Sequence, residues 1–302
     1  MIVPGRITLG SRGSDLARAQ TRLVEQALRE AWPQLEVAIE IIRTSGDESA
    51  RGGPMITDRK AGRKGLFTRE IENELVVRRI DLAVHSAKDL PSEHRDDLEV
   101  YATLPRAATE DVLITKSAAR LTSLPEGSVI ATGSVRRQRQ LGWIRPDLRI
   151  VDLRGNVPTR LRKLRENENW SGIILARAGL ERLGLKPEGE ILSPNEFVPA
   201  GGQGVIALQV RRDDARVRKL IDAINDRETH GCLRAEREFL RLLDGDCDSP
   251  VGVHAKVEAG TLRLQAQVFE ALATPPRVGT IMGASDDPEG IASRLMNQLY
   301  GG

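Results

Sequence analysis

Twice along this chain the same order of patterns occurs. An apolar run is followed by a glycine- or serine-rich turn with arginine, a helix pattern and a second apolar run. Later comes a run whose carboxyl end opens into a helix. That order predicts alternating strands and helices, and its repetition predicts two related α/β lobes with a cleft between them. In the first set, Arg6–Leu9 reads as a strand, Gly10–Ser14 as the turn, and Asp15–Ala31 as a helix ended by Trp32-Pro33. Leu16, Ala19, Leu23, Ala27 and Ala31 recur there at helical spacing, and Leu35–Arg43 alternates like a strand. In the second set, Ser128–Ala131 and Arg149–Leu153 read as strands, with helices over Arg136–Gly142 and Thr159–Glu168. Ser171–Ala176 is the strand that runs on into a helix, as Leu82–Val84 does in the first set.

Between the sets, Gly65–Arg79 predicts an amphipathic helix with Leu66, Ile71, Leu75 and Val76 on its apolar face. Leu98–Leu104 is a further strand, and Leu104-Pro105-Arg106 reads as a crossing point. Phe197–Val210 reads as a return hinge feeding a strand, followed by helices over Arg216–Asn225 and Glu228–Leu243. A hairpin over Val251–Glu258 and Thr261–Phe269 and a helix over Ile291–Tyr300 make a small α+β tail. The domain limits predicted are 1–104 with 200–222 for the first lobe, 105–199 for the second, and 223–302 for the tail.

Composition narrows the function. Hydrophobic residues at 40% and charged residues at 29% are those of an ordinary globular protein. Aromatics at 3% supply few stacking platforms for single-stranded nucleic acid. Two cysteines, Cys232 and Cys247, with no CxxC and four histidines, point to no disulfide framework and no metal site. No signal peptide is recognised at the amino terminus, and no uncharged run approaches the roughly 20 residues of a membrane span. The expectation is a reduced, cytoplasmic enzyme or binding protein, taken as a monomer, with no nucleic-acid and no membrane partner.

Charge is unevenly placed. The net charge is +2, yet Thr132–Arg182 holds twelve Lys/Arg against five acids. Several of these arginines fall at turns and helix starts, where guanidinium suits bidentate capture of carboxylate or phosphate. Arg12 and Ser14 occupy the matching turn of the first set, at a helix amino terminus that favours anions. Thr44–Lys64 lacks apolar periodicity and ends in the basic RKAGRKG, a loop or lid pattern. In Asp81–Pro91 (DLAVHSAKDLP), the strand ends in His85, Ser86, Lys88 and Asp89. Strand ends of this kind build binding crevices in open α/β sheets. Asp89 is either a cap or partner of Lys88, or a carboxylate working in a basic cleft; spacing leaves both open. Cys232 reads as core. Cys247 sits among turn formers between Asp246 and Asp248, which would raise a free thiol's pKa but would not trouble an alkylated sulfur.

Eight stretches, in order from residue 10 to about 252, resemble the porphobilinogen deaminase (hydroxymethylbilane synthase) family: GSRGSDLARAQ, KGLFTREIE, DLAVHSAKDLP, TGSVRRQRQL, LRGNVPTRL, ILARAGLERLG, PAGGQG and EREFLRLLDGDCDSPVG. The resemblance implies two periplasmic-binding-protein-like lobes plus a small C-terminal domain bearing a cysteine. It implies a dipyrromethane cofactor on Cys247 through a thioether, and porphobilinogen as substrate. Four porphobilinogen units are then condensed head to tail onto the primer with loss of ammonia, and hydroxymethylbilane is hydrolysed off. Asp89 matches the catalytic aspartate. Lys88, Asp89, Ser134, Arg136, Arg137 and Arg154 match cofactor-binding positions. Arg12, Ser14, Arg154, Arg160, Arg182, Lys60 and Lys64 match substrate-binding ones, and Asp47 lies in a matching Gly-Asp pair. The chain departs from the family's pattern at Asp246, Ser249 and Gly202, where glycine, an aliphatic and a nonpolar residue respectively are common. A two-lobed anion receptor would explain the lobes and arginines but gives Asp89 and Cys247 no role; a nucleic-acid binder explains less.

Overall fold

The computed structural model describes residues 5–43, 62–92, 95–243, 250–270 and 274–301. Strand β1 (Arg6–Arg12) turns into helix α1 (Asp15–Ala31), and β2 (Glu36–Ile42) follows. Next come α2 (Gly62–Val76), β3 (Leu82–Ser86) with a 3-10 turn at Ala87–Asp89, and β4 (Leu98–Thr103). The second unit runs β5 (Asp111–Thr115), β6 (Val129–Ala131), α3 (Val135–Ile144), β7 (Arg149–Val151), α4 (Val157–Glu166), β8 (Gly172–Ala176), α5 (Arg177–Arg182) and β9 (Glu190–Ile191). Strand β10 (Ile206–Arg211) and helix α6 (Ala215–Asp222) lead to α7 (Arg227–Leu242). The chain closes with β11 (Val251–Glu258), β12 (Thr261–Val268), β13 (Arg277–Ala284) and α8 (Pro288–Tyr300).

The two five-stranded sheets have one plan. Their orders are β2-β1-β3-β10-β4 and β7-β6-β8-β5-β9. In each, the first strand of the strand–helix–strand unit lies between two parallel neighbours. In each, an antiparallel strand from outside that unit, β10 or β5, pairs next. The chain therefore passes from the first sheet to the second between β4 and β5 and returns between β9 and β10. The third sheet is the meander β11-β12-β13, against which α7 and α8 pack. Two α/β lobes and a small α+β domain result, the fold class read from the sequence.

Local chemistry sets the helix starts. Ser14, Ser134, Asn156, Asp214, Asp226 and Asp287 each accept a backbone N–H three residues on, capping α1, α3, α4, α6, α7 and α8. The core of α1 differs from the predicted stripe. Gln20, Thr21, Val24 and Leu28 are buried, whereas Leu23 is 42% exposed. The two polar residues can lie inward because Gln20 Nε2 donates to Ser86 Oγ (3.1 Å) and Thr21 Oγ1 to Ala17 O (2.9 Å). Helix α2 starts three residues before its predicted beginning and stops at Val76; Arg78, two residues on, takes a left-handed backbone with φ of 58°. Its Ile71 and Leu75 are buried as predicted. Strands β5, β9 and β13 carried no sequence prediction.

Candidate active site

Because β1 and β3 run parallel, their carboxyl ends lie side by side. This sets Arg12 near the Ser86–Asp89 segment. The 3-10 turn bearing Lys88 and Asp89 is fastened at several points. Ala87 N donates to Val205 O (3.0 Å) and Leu90 N to Ala87 O (3.1 Å). Gly202, at φ +74°, lies against it so closely that a Cβ there would stand 2.9 Å from Ala87 C and Lys88 N. Below the turn, His85 is buried in a polar chain. Gln209 Nε2 donates to Glu72 Oε1 (2.9 Å), leaving Gln209 Oε1 to accept from His85 Nε2 (3.0 Å). Burial pushes the His85 imidazole down to about 4; the Gln209 bond and Asp89 oppose this, and Arg12 and Arg237 add to it.

The second sheet supplies the cations. Arg136 and Arg137, in the first turn of α3, are 4% and 5% exposed, and Asp111 takes one hydrogen bond from each at 2.7 Å. Arg136 also donates to Gln140 Oε1 and Val198 O, and Arg137 to Ile174 O. Burial pushes the Asp111 carboxyl up, but the two guanidiniums outweigh it and hold it well below the usual carboxylate range. The buried Nε atoms of Arg136 and Arg137 have no hydrogen-bond partner among the described residues. Arg154 pairs with Asp152 (2.7 Å) and is half exposed. Arg160 Nε donates to Gly155 O (2.7 Å). Arg182 reaches the second crossing, donating to Gly204 O (2.7 Å).

Electrostatics join the two sheets. Loss of water pushes the Lys88 amine down to about 8, with Asp89 and Asp111 opposing and Arg137 and Arg136 adding. Loss of water likewise pushes Arg160 down to about 10, with Arg137 and Arg154 adding and Asp89 and Asp152 opposing. Asp89 of the first lobe thus acts on Arg160 of the second, and Lys88 feels the Arg136–Arg137–Asp111 cluster. Arg12, Lys88, Asp89, Arg136, Arg137, Arg154 and Arg160 fall in one electrostatic neighbourhood. Ser14 and Ser134 are the N-caps of α1 and α3 at its edge, and Arg182 stands at the crossing.

Lys60, Asp47 and Cys247 lie outside the described residues, and Lys64 falls in the first turn of α2, where the backbone alone is described. Cys232 is 5% exposed in the core of the third domain. Burial, with Glu236 adding, pushes its thiol up to about 12, which suits no nucleophile or attachment point. Asp111, Gln203, Gln209 and Glu236 were missed from sequence. Asp111 left one signal: a carboxylate opening the apolar run Val112–Ile114 must be paired if that run is buried.

The fold is of the two-lobed α/β class with a third domain fastened beside the lobes, and it brings the strand-end Asp89 of the first sheet into the electrostatic neighbourhood of the second sheet's guanidiniums. Residues 7–219 match the family model described as porphobilinogen deaminase, dipyromethane cofactor binding domain, and residues 231–301 match its C-terminal domain. The porphobilinogen deaminase of a Roseiflexus species is 43% identical over 297 residues, 97% of this chain and 95% of that one. That of Thermus thermophilus is 45% identical over 261 residues, 86% and 83% of the two chains. Among solved structures, the methionine-binding protein MetQ is similar over 74% of this chain and 92% of that one, at 14% identity and a TM-score of 0.45. The chain belongs to the porphobilinogen deaminase family, transferases of tetrapyrrole synthesis with a dipyrromethane cofactor.

Proposed function

We propose that this chain joins porphobilinogen units head to tail at Asp89, on a dipyrromethane held by Cys247, and releases ammonia at each addition before hydrolysis to hydroxymethylbilane. The observation that carries the reading is Asp89 beside Lys88 on a pinned 3-10 turn at the carboxyl end of β3, where Ala87 N donates to Val205 O (3.0 Å) and Gly202 packs against the turn. Each pyrrole bears an acetate and a propionate, so substrate and growing chain are polycarboxylates. Arg12, Arg137, Arg154, Arg160, Arg182, Lys60 and Lys64 receive those groups, with Ser14 and Ser134 ordering the helix ends beside them. The donor set fits the cofactor. The unspent Nε–H of Arg136 and Arg137 and the poorly solvated Lys88 are what carboxylate side chains would satisfy. Cys247 is favoured for attachment because Cys232 is closed in the core. When bound, the dipyrromethane supplies the pyrrole carbon to which incoming units are added.

Asp89 has a different task from the arginines, since a carboxylate repels acetate and propionate. It accepts hydrogen bonds from pyrrole N–H groups and stabilises the cation left as the aminomethyl C–N bond breaks. It also assists proton transfer to the leaving amine. Fixed by Gly202 and Val205, it meets that charge without reorganising. We take the working unit to be a cytoplasmic monomer. On the domain limits 1–104 with 200–222, 105–199 and 223–302, Pro105 and Pro199–Gly202 are the crossings about which the lobes adjust as the product lengthens. The test is Asp89→Asn. It keeps the fold and the covalent adduct, while ammonia release from porphobilinogen falls by about a hundredfold or more; turnover near that of the wild type would remove Asp89 from the chemistry.

A further inference from the structure

Helix α7 belongs to the third domain, yet one of its faces lies on the Asp89 turn. Leu233 packs with Ala87, Leu90, Val205 and Ala207 in one apolar cluster. One turn further, Arg237 Nη2 donates to Pro91 O (2.7 Å) and Ser92 O (3.4 Å), the two carbonyls just beyond Asp89-Leu90. Leu240, another turn on, approaches Gly201, where an added Cβ would meet its Cδ1 at 2.9 Å. Residues 233, 237 and 240 share a face of the helix. That face grips the loop after Asp89 and the Gly201–Gly202 turn that backs it. Arg237 also acts on His85, on the strand before Asp89. Five residues beyond the end of α7 in sequence stands Cys247.

We propose that Arg237 is a positioning residue for Asp89: by holding the Pro91 and Ser92 carbonyls it registers the catalytic turn of the first lobe to the helix that precedes the cofactor cysteine. The assignment rests on the reading of Asp89 as the catalytic carboxylate. The physical case is geometric. The 3-10 turn is a single short turn with its own hydrogen bonds at Ala87 and Leu90, and directly after it Arg237 donates to two successive carbonyls. Charge-assisted bonds of this kind are the stronger class. A displacement of Asp89 by an ångström is enough to cost a large rate factor. Most of the described groups proposed to receive the substrate's carboxylates, Arg137, Arg154 and Arg160 among them, lie on the other lobe, so a displaced Asp89 turn is expected to show in kcat more than in KM.

The experiment is a double-mutant cycle on the holoenzyme with porphobilinogen as probe. Arg237→Met is expected to lower kcat by about ten- to a hundredfold with KM within about twofold of the wild type. Arg237→Lys, which keeps one donor within reach of a carbonyl, is expected to recover part of kcat. In the Asp89→Glu background, whose carboxylate is already displaced, Arg237→Met is expected to cost under about threefold more. Thermal unfolding and intact mass check that each variant is folded and carries the adduct. Wild-type kcat in Arg237→Met, or equal losses in both backgrounds, would overturn the proposal. So would a loss confined to KM. Should Arg237→Met fail to fold, the cycle is run with Arg237→Lys, and the same additivity would count against it. If Asp89→Asn itself turned over like the wild type, the reading of Asp89 would fall, a result distinct from a silent Arg237.

Discussion

At the scale of residues, Lys88 shows how the site sets its own working range. Its amine is pushed down to about 8, first by loss of water and then by Arg137 and Arg136, while Asp89 and Asp111 pull it back. The group is charged below that value and neutral above it, so its hold on a carboxylate is present at low pH and lost as pH rises through about 8. Because that carboxylate is read as the cofactor's, kcat for porphobilinogen is expected to fall between about pH 7.5 and 9, and the fall to shrink in Lys88→Arg, whose guanidinium stays charged. A wild-type kcat flat across that range would contradict the assignment. The same shift has a stability consequence with a definite sign. The folded pKa lies below the ordinary 10.5, so the fold carries a penalty below about 8 that is relieved as pH rises towards 10.5. Asp111 is the counterweight on the other side. It neutralises part of the Arg136–Arg137 pair, and Gln203 Nε2 donates to it as well (3.0 Å), linking the cation bank to the returning chain. The arginines were legible in the sequence because arginine at a strand-end turn has few structural uses. Asp111 and Gln203 were not, because a polar residue whose partners are far away in sequence leaves no periodic trace.

At the scale of elements, the Asp89 turn depends on a glycine that the sequence marked as a departure. Gly202 combines φ of +74° with contact against Ala87 and Lys88 backbone. A side chain there is strained by its own backbone and pushes on the Asp89 turn. Gly202→Ala is expected to lower stability by about 1–2 kcal/mol in urea unfolding and kcat by about tenfold; unchanged kcat would show that the turn tolerates the push. Much of the element order was readable. Strands β1, β2, β3, β8 and β11 are apolar or alternating runs with turn residues at their ends, and α7 and α8 have clear apolar stripes. The α1 stripe was read one residue out of phase, because Gln20 and Thr21 are inward-facing polar groups, satisfied by Ser86 Oγ and by Ala17 O, that an apolar periodicity does not register. Strand β5 escaped since it opens with Asp111. Strand β13 escaped since Gly279 and Gly283 interrupt its alternation; a Cβ at either would meet α8 side chains within 3.0 Å, so the glycines admit the helix.

At the scale of the molecule, both crossings between the lobes are tied to the third domain by one buried pair. Arg106, on the outward crossing, donates to Glu236 Oε1 (2.7 Å), to Ala255 O (3.2 Å) and, through Nε, to Gln203 O (2.9 Å). Glu236 also accepts from Gly202 N on the return crossing and from Ala255 N on β11, both at 2.7 Å. Every partner of this carboxylate is a buried donor, so removing it strands a guanidinium and two amides. Glu236→Leu is expected to cost about 3–5 kcal/mol in unfolding free energy, and Arg106→Met added to it to restore part of the loss. A loss under about 1 kcal/mol would mean the node is solvated and the domains are held elsewhere. The whole account turns on a covalent primer at Cys247 extended in front of Asp89. Intact-mass spectrometry of the purified protein tests this most directly. The account predicts a mass above that of the chain, growing in steps when porphobilinogen is added, and the bare chain mass in Cys247→Ser; a fully active protein of bare chain mass, or an adduct that survives Cys247→Ser, would contradict it.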